Sequence, residues 1–122
     1  MPPLVKICGI THEDDALAAL AAGADYLGLI FVPGTPRTVR PERLKAIVEA
    51  CAFKAKWVGV FQNQPAALVN ELAETLPLHW VQLHGEETPE DCAAIRRPVL
   101  KAFSLADPPD AGTVAAYAPH VR

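Results

Sequence analysis

Five short apolar runs alternate along this chain with stretches that carry helix signals. The runs are Leu4–Cys8, Tyr26–Phe31, Ala55–Phe61, Trp80–His84 and Val99–Phe103. Each is too short for a helix and rich in β-branched or aromatic residues, so each is predicted to be a strand. Thr11 offers an N-cap with Asp14 at the capping-box position. A helix over 12–22 is predicted to follow, stopped at Gly23. Pro41 suits the first position of a second helix, where Leu44, Ile47, Val48 and Cys51 form an amphipathic stripe. Pro65 opens a third helix, with Val69, Leu72 and Leu76 on one face. Thr88 and Pro89 open a fourth, with Cys92 and Ile95 facing inward, and a weak fifth is expected over 113–118. Val32–Arg40, with Pro33, Gly34 and Pro36, reads as a loop. Strand and helix alternating through short links demand a parallel sheet with right-handed crossovers.

Two architectures meet that demand, an open doubly wound sheet and a barrel. Side-chain alternation separates them. Val5 and Ile7, Val81 and Leu83, and Leu100 and Ala102 share an apolar face. The opposite face carries Lys6, Cys8, Gln82, His84 and Lys101. A sheet with helices on both sides is expected to be apolar on both, whereas a barrel interior can gather polar groups near one end. The pattern favours a barrel. A single glycine, Gly9, separates the first strand from the first helix, so no glycine-rich dinucleotide fingerprint is present.

Composition narrows the function classes. The 122 residues suit one domain, 1–122, and 51% hydrophobic content allows a real core. A formal net charge of −3 leaves no footprint for nucleic acid or an anionic membrane. The longest uncharged apolar run, Ala16–Ala24, falls far short of the roughly 20 residues of a membrane span. The start of the chain lacks the apolar core of a signal peptide, so a cytoplasmic protein is expected. Cys8, Cys51 and Cys92 are an odd, widely spaced set, and no CxxC or HxxxH pair occurs. Neither a disulfide framework nor a zinc site is expected.

Four strand-end stretches, "VKICGIT", "GADYLGLIFVPGTPR", "VGVFQN" and "VQLHGEE", are joined by "LKAF" at the fifth strand. Together they resemble the phosphoribosylanthranilate isomerase family, from Val5 to Phe103. The resemblance implies a (β/α)8 TIM barrel without cofactor or metal. It implies Amadori rearrangement of a small phosphorylated aminoaldose to 1-(2-carboxyphenylamino)-1-deoxyribulose 5-phosphate, in tryptophan biosynthesis. The family's catalytic base falls on Cys8, and its carboxylate-binding arginine falls on Arg37. Its acid is an aspartate at the end of strand six, and its phosphate site lies in the last two loops.

The chain departs from that pattern by supplying about five βα units, where a complete barrel needs eight strands and roughly 200 or more residues. It is expected to be the N-terminal part of the barrel and to be inactive by itself. Asp107 and Asp110 do not match the family's acid. Lys6, on the same face as Cys8, favours a thiolate there. Gln82 and His84 fit either as satisfied interior polar groups or as substrate-binding lining. Lys6 and Lys101 can pair with interior carboxylates. Cys51 and Cys92 are expected to be apolar filler, and Asp14 and Asp15 to be solvated. Two other readings stay open: a self-associating half-barrel, a possible homodimer through its open strand edges, and a cysteine-based redox enzyme.

Overall fold

The third strand, β3 (Trp57–Phe61), is buried at all five positions, the state of a parallel strand covered on both faces. The computed structural model describes residues 3–51, 54–76, 78–104, 106 and 108–121. They cluster into two compact units, Met1–Gly59 and Val60–Arg122, with the division inside β3.

In the first unit, β1 (Lys6–Ile7) pairs in parallel with β2 (Tyr26–Ile30). The ladder is shorter than the apolar run because the Val5 carbonyl accepts from both Asp25 N and Tyr26 N. Val5 N itself donates to the Asp25 carboxylate at 2.7 Å. Helix α1 (Glu13–Ala21) starts on His12, not Thr11. His12 is extended and its Nδ1 accepts from Asp14 N at 3.1 Å, so the imidazole does the work expected of the threonine hydroxyl. Gly23 ends the helix as expected: at φ +98° its N–H reaches the Leu20 carbonyl, and Ala24 N reaches Ala19, a Schellman closure. Helix α2 (Pro41–Cys51) begins on its proline and buries Ile47 and Cys51. It lies beside α1, with Arg43 Nη1 3.3 Å from Glu13 Oε1.

In the second unit, α3 (Ala66–Thr75) follows Pro65 and buries Val69, Asn70 and Ala73. Asn70 is a polar peg: it donates to the Ala94 carbonyl and accepts from Arg96 N, both at 2.9 Å. Strand β4 (Trp80–Leu83) buries Val81 and Leu83 and runs parallel to β5 (Val99–Lys101). Between them α4 (Pro89–Ala93) starts in a full capping box of Thr88 and Asp91 and buries Cys92, while Ile95 beyond it is half-buried. Helix α5 (Ala111–Tyr117) is capped by Asp110 and buries no residue.

The five strands lie in the order β1-β2-β3-β4-β5. A doubly wound sheet reverses its strand order part-way, and this one does not. The order is that of successive units of a (β/α)8 barrel. The apolar face expected of β1 is uncovered: Val5 and Ile7 are 44% and 41% exposed, and β1 is an edge strand paired only with β2 among the described residues. No helix of the described residues is long and apolar enough to cross a membrane.

Candidate active site

The chain turns at Gly9, φ +80°, immediately after the half-buried Cys8. Gly9 N and Ile10 N both donate to the Gly28 carbonyl at 3.1 Å, which ties this turn to the middle of β2. The loop after β2 folds back on itself. Thr38 N donates to the Thr35 carbonyl, Val39 N to Ile30, and the hydroxyls of Thr35 and Thr38 meet at 2.8 Å. That turn delivers Arg37, whose Nη2 donates to the Cys8 carbonyl at 2.7 Å. A Cβ placed on Gly9 would lie 2.2 Å from Arg37 Nε and Nη2. The guanidinium therefore occupies the space of a side chain that Gly9 lacks. The free cysteine Cys8 and a planar cation of a shape that suits carboxylates are thus joined through the Cys8 main-chain carbonyl.

The second unit holds its own cluster. Gln82 Nε2 lies 3.4 Å from His84 Nδ1. Lys101 Nζ donates to the Gly85 carbonyl at 2.6 Å and meets Glu87 Oε1 at 3.2 Å. It lies 5.3 Å from the Phe103 ring centroid and 6.0 Å from that of Tyr117. Glu87 accepts further from Asn63 N at 2.7 Å and Gly85 N at 2.8 Å. Asn63 sits in the left-handed region, φ +58°, and its Oδ1 accepts from Glu86 N at 2.7 Å. Burial alone would raise the Glu87 carboxyl. The Asn63 and Gly85 N–H groups and the Lys101 ammonium outweigh it and hold the carboxyl below its ordinary value. A cavity of about 350 Å³ is lined by His84, Lys101, Phe103, Ser104, Thr113 and Tyr117 among others.

The comparisons with known proteins point one way. The family model for N-(5'-phosphoribosyl)anthranilate (PRA) isomerase matches residues 5–122. The chain belongs to this family. A relative from Pelobacter propionicus, an N-(5'-phosphoribosyl)anthranilate isomerase, is 46% identical over 103 residues, 84% of this chain and 49% of the relative. The crystal structure of the phosphoribosylanthranilate isomerase from Thermus thermophilus matches with a TM-score of 0.80 at 46% identity, covering 88% of this chain and 55% of that one. A further isomerase structure, in complex with reduced 1-(o-carboxyphenylamino)-1-deoxyribulose 5-phosphate, matches with a TM-score of 0.77 at 39% identity. It covers 82% of this chain and 53% of that one. The chain thus spans about half the length of the phosphoribosylanthranilate isomerases it matches.

Cys8 and Arg37 meet in the first unit, and Gln82 and His84 meet in the second. Lys101 has an interior carboxylate partner, and that partner is Glu87 from the preceding loop. Cys51 and Cys92 are wholly buried, and burial pushes both thiols up, which suits inert filler. Asp110 caps α5 through Thr113 N at 2.7 Å, while Asp107 lies outside the described residues. Sequence reasoning passed over Glu87 and Asn63. The signal was present: an inward-facing Lys101 requires an anion, and "GEE" lies at the end of the neighbouring strand. Among the described residues, no group of three or more His, Cys, Asp or Glu side chains is arranged to hold a metal ion.

Proposed function

We propose that these residues supply the base and the anthranilate grip of an N-(5'-phosphoribosyl)anthranilate isomerase of cytoplasmic tryptophan biosynthesis. The substrate is a phosphorylated aminoaldose, and the product is the corresponding aminoketose. Cys8 removes the C2′ proton from the ring-opened Schiff base, and the enolamine then tautomerises to the ketone. Arg37 holds the anthranilate carboxylate. Its Nε/Nη2 edge faces Gly9, so the carboxylate is met by the end of the fork that carries Nη1. Gln82 and His84, 3.4 Å apart in the second unit, take part in binding the substrate. The acid that opens the furanose ring and the groups that grip the phosphate belong, in this reading, to barrel segments outside these residues.

One observation carries the reading: Arg37 Nη2 donates to the carbonyl of Cys8 at 2.7 Å, so a carboxylate held by Arg37 arrives beside the thiol. The test is Cys8→Ser in the complete enzyme, assayed by loss of phosphoribosylanthranilate fluorescence. Turnover should fall by about 10²–10⁴-fold, the usual worth of a positioned base, with little change in KM. Near-normal turnover would remove Cys8 from the role.

A further inference from the structure

Gly28 is buried in the middle of β2, where glycine is an expensive choice. It weakens a strand through its backbone freedom and has no side chain to pack. Gly9, Gly23 and Gly34 earn their place by positive φ angles, but Gly28 has none. Space, not backbone conformation, is what this position needs. A Cβ built on Gly28 would lie 2.9 Å from Cys8 Sγ, 3.0 Å from Cys8 Cα and 3.3 Å from Cys8 Cβ. Unstrained contacts of this kind settle near about 3.5–4.0 Å. Rotating the thiol away would relieve only the first of the three, because the second is to backbone. The Gly28 carbonyl also accepts from Gly9 N and Ile10 N, so any shift of residue 28 drags the turn that follows the thiol.

We propose that Gly28 is a positioning residue for Cys8: the missing side chain at 28 is the slot in which the thiol and its Cα sit. It acts through Cys8 and touches no substrate. The inference rests on the reading of Cys8 as the base, and its test separates the two. In the complete enzyme, Gly28→Ala should lower kcat by about 10–100-fold, the scale of a displacement near one ångström, with KM nearly unchanged. Iodoacetamide alkylation of Cys8 reads the thiol directly and does not depend on catalysis. Its rate should change in Gly28→Ala, while Cys51 and Cys92 stay unlabelled in both proteins. If Cys8→Ser kept its turnover, the base reading would fall, yet the alkylation rate would still decide the slot. If Gly28→Ala left both kcat and the alkylation rate at their parent values, the slot would be wrong. Should Gly28→Ala fold poorly, the same change in a Cys8→Ala background decides. Removing Sγ removes the 2.9 Å contact, so the drop in thermal midpoint should be smaller there. An equal drop in both backgrounds would overturn the proposal.

Discussion

Lys101 Nζ lies 3.2 Å from Glu87 Oε1, and the two side chains are only 3% and 5% exposed. Every acceptor around this ammonium is built in: a carboxylate oxygen and the carbonyls of Gly85 and Ala102. Lys101 is therefore committed to the second unit's scaffold, joining the end of β5 to the loop that follows β4, whose Glu87 in turn accepts from Asn63 N in the loop after β3.

Breaking that pair from one side should be costly. Lys101→Met leaves Glu87 buried beside two backbone N–H groups with no counter-charge, a loss of about 3–5 kcal/mol for an interior ion pair. Replacing both partners, as Lys101→Met with Glu87→Leu, should recover part of it, because no charge is left stranded. Urea unfolding of the three proteins measures this. A single variant as stable as its parent would show that the pair is neutral.

The same carboxylate sets a direction in pH. Its folded value lies below its unfolded one, so the folded protein binds the proton less readily. The stability that Glu87 contributes is fully present above the unfolded carboxyl value of about 4.3. It is lost as pH falls from there through the folded value. Glu87→Gln should flatten the acid limb of the stability profile while lowering the neutral plateau. An unchanged acid limb would assign that limb to other carboxylates.

Arg37→Ala should weaken binding of carboxyphenyl ligands by about 1.5–3 kcal/mol, the range for hydrogen bonds to a charged group. Arg37→Lys should restore only part of this, since an ammonium lacks the planar fork. Titration of a product analogue with and without its carboxylate is the measurement. Equal weakening for both ligands would mean that Arg37 acts through its bond to Cys8 instead.

Much of the scaffold was legible in the residues. Pro41, Pro65 and Pro89 mark helix starts because a proline ring fits where no N–H is needed, and the short apolar runs mark the strands. The β3 run reads most plainly, being buried throughout. What stayed hidden depends on how the chain turns between elements. His12 takes the cap from Thr11 because helix α1 begins one residue later than its sequence signal. The meeting of Cys8 and Arg37 needs both the positive φ of Gly9 and the Thr35–Thr38 turn. Neither has a periodicity that announces which backbone atom the guanidinium will find. Alternation faced Lys101 inward, but its partner is chosen by the left-handed Asn63, which locks the β4 loop against the β3 loop.

Helix α5 buries none of its residues. Its last one, Tyr117, is half-buried, donates its hydroxyl to the Glu87 carbonyl and meets the Phe103 ring edge-on at 5.3 Å. A segment with so little covered apolar surface opens at small free-energy cost. In deuterated solvent the amides of α5 should exchange well ahead of those in β3. One phenol then acts as the latch on the pocket wall that Thr113 and Tyr117 help to form, and Tyr117→Phe should speed exchange across α5 while leaving β3 untouched.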